Sequence, residues 1–334
     1  MRAMVLTQPS ALKTRPLKLR DIPVPEPKSG EVLIRVNACG VCRTDLHGVI
    51  GEIPPHKMPV VPGHQVVGVI ESSGPRSKMF KKGDRVGAAW LHASCGVCAY
   101  CRSGRENLCD TPVFSGYDVD GGYAEFMKAR EEFIYPVPKE MSAVEIAPLL
   151  CAGIVGYRSL KLCNVPKGGR LGLYGFGASA HVIIQVARYW GCEVYVMTRA
   201  EKHRGLALEL GAAWAGNADA IPPKKLDSAI LFAPAGEIVP RALESLDKGG
   251  TLALAGIYLS DVPVLNYQKH LFQEKIVRSV TANTREDGRE LLKLAREIPI
   301  RTQTEIYPLE QANEALLKLE SDGIRGAGVL TVSN

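Results

Sequence analysis

The sequence predicts an α/β protein built around a doubly wound parallel sheet, and three observations carry that prediction. The stretch GRLGLYGFGASAHVIIQVARYWGCEVYVMTR, beginning at Gly169, reads as strand, glycine turn, helix and second strand in succession. Strand-like runs continue at SAILFA and TLALAG, separated by a helical stretch around Val239 to Leu246, and alternation of this kind feeds a parallel sheet. Length supplies the third: 334 residues with 46% hydrophobic content and 33 glycines leave room for a large core and two domains.

Within the first stretch, Leu171 to Tyr174 form a short apolar strand and Glu193 to Met197 a second. Gly175 and Gly177 fall where a tight turn and a close backbone approach to a pyrophosphate are needed. Val182, Ile183, Val186 and Ala187 recur at helical spacing, and the helix start at Ala178 presents free N–H groups and a dipole that favour negative charge. Ala180 stands where the third glycine of a dinucleotide fingerprint falls, a position that needs only close helix-to-strand packing. The order of elements therefore points to a Rossmann unit binding a dinucleotide.

The end of the second strand bears on which dinucleotide. An acidic residue there would bond the ribose 2′-hydroxyl and repel a 2′-phosphate; this chain has Thr198 and Arg199, with Lys202 and Arg204 nearby. NADP is the favoured cofactor. NAD stays open, with Arg199 solvated or stacked on the adenine.

Four cysteines, Cys95, Cys98, Cys101 and Cys109, are packed into CGVCAYCRSGRENLC. Thiolates at these spacings converge on one tetrahedral ion, and four sulfurs close the sphere of a structural zinc, so chemistry must happen elsewhere. An iron-sulfur cluster fits the spacing too, but Arg102, Arg105, Glu106 and Asn107 suit an exposed lobe better than a buried redox centre. Disulfides need an oxidising compartment, and the start MRAMVLTQPSALKTRPLKLR has no apolar signal core, so a reduced, cytoplasmic chain is expected.

The net charge of +6 is modest and not gathered into one tract, which disfavours nucleic acid and favours a small anionic ligand. No stretch is long and apolar enough to span a bilayer. Beyond the cluster, Cys39, Cys42, His47, His64 and Cys151 are further candidate metal ligands. Cys42, in ACGVCRTDLHG, follows an alternating strand from Glu31 to Val36, and His64 lies in VVPGHQVVG; both positions read as glycine-rich turns. Spacing alone does not assemble these residues into a site.

The order CGVCRTDLHG, VPGHQVVG, CGVCAYCRSGRENLC, PLLCAGIVGYRSLK and YGFGASAH resembles the zinc-containing medium-chain alcohol dehydrogenases over nearly the whole chain. The resemblance implies a GroES-like β-barrel catalytic domain over residues 1–149 with the zinc lobe at about 92–112, a Rossmann domain over 150–285, and a return to the catalytic domain over 286–334. It implies Cys42, His64 and Cys151 as ligands of a catalytic zinc whose fourth position is open. Thr44 matches the hydroxyl that takes the substrate proton, His47 the residue that relays it to solvent through the cofactor ribose, Asp45 the carboxylate that orients a ligand imidazole, and Arg43 a pyrophosphate contact. Trp90 and Ile257 match the wall of a substrate pocket.

The chain departs from the family at Gln65, where a glutamate usually follows the ligand histidine, and the change leaves the metal site more electropositive. Ala327 stands where relatives often carry a basic residue on the cofactor phosphate, and Arg285 is a candidate substitute. Cys39, Cys163 and Cys192 read as buried thiols.

The expected function is a zinc-dependent alcohol dehydrogenase with two zinc ions per chain, moving hydride reversibly between a primary alcohol or aldehyde and NADP(H) or NAD(H). The segments AGIYLSDVPVLNY and ANTR resemble the bacterial propanol-preferring branch, and the family implies a homodimer or homotetramer. A polyol dehydrogenase, a non-enzymatic zinc and NADPH-binding protein, and a zinc-free quinone reductase are the rivals. The first would line its pocket with more polar groups, and the trio of Cys42, His64 and Cys151 argues against the other two.

Overall fold

A computed structural model describes residues 1–332, in two compact units. One comprises Met1–Cys151, Asn283–Arg296 and the chain from Thr302; the other comprises Ala152–Ala282 and Glu297–Arg301.

The second unit is a six-stranded sheet in the order Trp214–Gly216, Glu193–Met197, Arg170–Tyr174, Leu226–Leu231, Leu246–Leu254 and Ile276–Ser279, with every pair parallel. The chain starts in the middle, winds outward to one edge, then returns and winds to the other, which puts the switch point between the Arg170 and Leu226 strands. Helix Ala178–Tyr189 buries Ala180, Val182, Ile183, Ile184, Val186 and Ala187, the apolar face that the periodicity marked. Gly175 has φ +88°, and a Cβ there would lie 2.9 Å from the Ala233 nitrogen, so the turn between strand and helix closes only with glycine. The helix expected at Val239 to Leu246 ends at Ser245, because Leu246 already pairs with Leu226 in the next strand.

The first unit carries a seven-stranded sheet ordered Thr304–Pro308, Ala327–Thr331, Glu31–Val41, Val66–Ser73, Arg85–Ala88 and Ile134–Pro136, with Phe126–Arg130 also pairing with Glu31–Val41. The strand expected to end at Val36 runs five residues further, because its second half keeps pairing with Val66–Val67 and with the C-terminal strand. That extension positions the site. Cys39 pairs with Val66 and the Gly40 N–H donates to the Gln65 carbonyl at 3.0 Å, so the chain leaving one strand at Cys42 passes beside the chain entering the next at His64.

Cys151 arrives from a different direction. Ser142 and Glu145 form a reciprocal capping box that opens helix Ala143–Ile146, and a 3-10 turn, Ala147–Leu150, carries on to Cys151. A Cβ on Gly87 would lie 2.7 Å from Leu150 Cδ2, so the bare strand lets Leu150 dock and holds Cys151 next to the sheet.

Candidate functional site

The stretch around Cys42, read from sequence as a glycine-rich turn, opens a helix, Arg43–Ile50, with Cys42 at its N-cap. The reason lies in Asp45: its Oδ2 accepts the Cys42 backbone N–H at 2.9 Å, satisfying a donor at the N-cap. The same buried carboxylate accepts the Gly63 N–H at 3.2 Å, the Tyr123 hydroxyl at 3.1 Å and, through Oδ1, His64 Nδ1 at 3.0 Å. A carboxylate on Nδ1 places the proton there and leaves Nε2 with its lone pair outward.

His64 Nε2 is buried and makes no hydrogen bond among the described residues. Its companions are sulfurs. The ligand atoms of Cys42, His64 and Cys151 all lie within 4.8 Å of one another, and the two Sγ atoms are 3.9 Å apart. Tetrahedral zinc with Zn–S bonds of about 2.3 Å separates two sulfurs by about 3.8 Å. The Cys42 thiol is held well below its ordinary pKa by the hydrogen bond from Cys151 and by His64, while that bond and burial push Cys151 well above it. Burial pulls His64 down, but the Asp45 carboxylate outweighs it and pushes the ring up to about 10. A divalent cation among the three would displace that proton and hold both sulfurs as thiolates, leaving the donor set neutral overall with the ion. An orphaned imidazole nitrogen, a correctly spaced sulfur pair and a carboxylate behind the ring fit a zinc ion.

Thr44, two residues past Cys42, places Oγ1 3.6 Å from the Cys42 sulfur. It lines an apolar recess with Leu6, Val49, Pro55, Trp90 and Tyr117. Trp90 stands edge-on to the His64 ring at 4.8 Å and stacks on Phe114, so it walls the recess beside the candidate metal ligands. His47 is buried on the same helix as Thr44, and Arg43 faces Asp322 at 3.7 Å on the surface of this unit. Ile257 belongs to the second unit, where it is half exposed.

The four lobe cysteines also converge, with all sulfurs within 4.8 Å. Backbone N–H groups of Cys98, Cys101 and Cys95 point at the sulfurs of Cys95, Cys98 and Cys109 at 3.3–3.4 Å. The backbone N–H groups of Val97 and then Cys98 hold Cys95 below the ordinary thiol pKa, that of Cys101 does the same for Cys98, and for Cys109 the N–H groups of Cys95 and Thr111 outweigh the opposing effect of burial. Such a knuckle fits a closed tetrahedral ion. Glu106 and Asn107, read as exposed lobe residues, are in fact buried. Glu106 accepts the Arg285 backbone N–H at 2.9 Å and its guanidinium at 3.1 Å, and Arg285 lies over the Phe133 ring. Arg285, expected on the cofactor, thus anchors the lobe to its unit; a salt partner 179 residues away in sequence gave no local sign.

In the second unit, Gly177 caps helix Ala178–Tyr189 without a side-chain bond, and a Cβ there would meet only open space. An uncapped helix start behind a bare glycine fits a pyrophosphate. Thr198 is buried at the end of its strand, while Arg199 and Lys202 are exposed just beyond. Arg204 Nη1 donates to the carbonyls of Thr198 and Arg199 at 3.0 and 2.6 Å, which fixes the loop that presents Arg199.

Gln65 is buried, with its side chain packed where a Cβ on Gly40 would lie at 2.9 Å. Ala327 is buried at the start of its strand, and Cys39, Cys163 and Cys192 are buried as expected. Tyr123, fully buried with its hydroxyl on Asp45, was not foreseen; it sits in GGYAEF, with no metal-ligand spacing to mark it.

A parallel six-stranded dinucleotide unit and a mainly antiparallel unit bearing two metal-ligand clusters define a zinc-type dehydrogenase architecture. Residues 28–139 match the alcohol dehydrogenase GroES-like domain and residues 180–297 the zinc-binding dehydrogenase domain. The chain is 52% identical to the probable alcohol dehydrogenase AdhA of Mycobacterium tuberculosis (strain CDC 1551 / Oshkosh), over 99% of this chain and 97% of that one. It is 36% identical to an alcohol dehydrogenase of Geobacillus stearothermophilus, over 95% and 97%. Its fold is similar to that of CAD from Helicobacter pylori complexed with NADP(H), with TM-score 0.88, 26% identity and 99% coverage of both chains. The chain belongs to the zinc-type medium-chain alcohol dehydrogenase family and is an oxidoreductase. No single helix among the described residues is long and apolar enough to cross a membrane.

Proposed function

We propose that this protein is an NADP(H)-preferring, two-zinc dehydrogenase that interconverts short primary alcohols and their aldehydes, as the bacterial propanol-preferring branch would. The observation that carries the reading is the trio of Cys42, His64 and Cys151, with a buried unpaired Nε2, next to the Thr44 hydroxyl and the Trp90 recess. When bound, zinc supplies Lewis acidity that lowers the pKa of an alcohol or polarises a carbonyl, and the nicotinamide accepts or returns the hydride.

The chain's own residues do the rest. Asp45 fixes His64 through Nδ1 and so leaves Nε2 as the nitrogen that would hold zinc, and Tyr123 and two backbone N–H groups hold Asp45. Thr44 accepts the hydrogen bond of the substrate hydroxyl and takes its proton, and His47 passes that proton toward solvent. Leu6, Val49, Pro55 and Trp90 give the carbon chain an apolar berth that excludes water and offers polyols few partners. Gln65, buried next in sequence to His64, would add no negative charge near a zinc held there. The four-cysteine lobe, with no open position, holds the second zinc as structure.

NADP(H) preference rests on Thr198, Arg199 and Lys202 where an acid would select NAD. The test is a titration with both reduced cofactors. Wild-type protein is expected to bind NADPH more tightly than NADH. Arg199→Ala should weaken NADPH roughly tenfold or more, as loss of a charged hydrogen bond does, with NADH little changed. Equal effects on both cofactors would remove the 2′-phosphate reading.

The quaternary reading is a homodimer or homotetramer joined at the sheet edge of the second unit. All four residues of the terminal strand, Ile276–Ser279, are exposed, and Val264, Tyr267 and Phe272 add apolar surface at 97%, 60% and 57% exposure. A sheet edge with no partner strand among the described residues, carrying Ile276 and Val277 and flanked by that apolar surface, is a pairing surface that a monomer would be expected to protect. Sedimentation velocity should show an even oligomer for the wild type and monomers for the double variant V264E/I276K; unchanged assembly would place the interface elsewhere.

A further inference from the structure

We infer that Glu52 is the proton outlet of the active site, the group through which His47 exchanges protons with solvent. This rests on the reading of His47 as a relay and extends it to a residue that neither motif nor spacing marks. His47 is buried, 7% exposed, so its ring has little direct access to water. Its Nδ1 is hydrogen-bonded to Glu52 Oε2 at 2.5 Å, and the Glu52 side chain is 44% exposed. One carboxylate therefore touches the buried ring and the bulk at once.

The backbone explains why Glu52 can do this. Helix Arg43–Ile50 ends at Gly51, whose φ of +89° is a left-handed cap, and the N–H groups of Gly51 and Ile53 both donate to the His47 carbonyl, at 3.1 and 3.2 Å. The chain folds back over its last turn and returns Glu52 to the ring five residues behind it. A carboxylate on Nδ1 also selects the tautomer that leaves Nε2 as the proton-accepting nitrogen.

Each alcohol oxidation removes one hydride, which leaves on the cofactor, and one proton, which must leave the protein. That proton arrives on the ring at Nε2. The Nδ1–H bond then breaks as a Glu52 Oε2–H bond forms, and the carboxylic acid gives its proton to water or a buffer base. Aldehyde reduction runs the same steps backward.

Rapid mixing with a pH-indicator dye separates proton appearance from NADPH formation. In the wild type the two should rise together. In E52Q the proton should lag by about tenfold, a modest general acid–base effect because water can partly substitute. Added imidazole should close the lag, E52D should retain most of the wild-type rate, and metal content, melting temperature and KM for the alcohol should stay unchanged. A lag absent in E52Q, or one that imidazole cannot relieve, would overturn the assignment. H47Q is the control: a slow H47Q beside a normal E52Q sinks the Glu52 outlet alone, whereas a normal H47Q sinks the relay reading beneath it.

Discussion

Cys151→Ser is expected to leave a folded protein with one zinc per chain in place of two and alcohol oxidation reduced by more than about a thousandfold, since the ion is asked to supply several kcal/mol of transition-state stabilisation. Serine is nearly isosteric, and the only hydrogen bond described for the Cys151 sulfur is to Cys42, so the change costs the fold little. A stability loss within about 1–2 kcal/mol is expected. What it removes is a thiolate. A serine hydroxyl stays protonated near neutral pH and is a poor zinc ligand, and the two remaining donors leave the ion charged and loosely held. Metal analysis, turnover and thermal unfolding on the same preparation check this; a variant that keeps both zincs and its activity would show that Cys151 is a buried thiol and nothing more.

Thr44→Val tests the proton rather than the metal. Valine keeps the β-branched shape in helix Arg43–Ile50 and removes only the hydroxyl that lines the recess beside the Cys42 sulfur. Zinc content should remain at the wild-type level while kcat/KM falls by roughly 10²–10³, the range for loss of a positioned acid–base group. Thr44→Ser, which restores the hydroxyl, should recover most of it. If valine and serine variants fall equally, the methyl group rather than the oxygen matters, and Thr44 is a packing residue.

How much of this was legible in the residues varies with distance along the chain. The four lobe cysteines lie within fifteen positions and declare themselves, as does the strand, glycine turn and helix from Leu171 through Gly177, because both signals are local. Cys42, His64 and Cys151 span 109 residues and meet only because Cys39 pairs with Val66 and Leu150 docks against Gly87. Family resemblance, not spacing, brought those three together in advance. The helix at Arg43–Ile50 read as a turn because Gly40 and Gly48 bracket a mixed polar run and cysteine is no usual N-cap; Asp45, three residues after Cys42, was the sign that could have reversed it. Tyr123, Glu52 and the Glu106–Arg285 pair were invisible for one reason: each matters through a contact set by tertiary packing or by a left-handed cap.

On the function proposed above, an ion held by Cys42, His64 and Cys151 is indispensable to turnover. Dialysis against a chelator, with zinc content and alcohol oxidation followed together through removal and readdition, tests it most directly. Activity should vanish as the zinc of that site is lost, and return when zinc alone is restored, while the four-cysteine lobe keeps its ion longer. Alcohol oxidation that continues at full rate after the three-ligand site has been stripped would contradict the account.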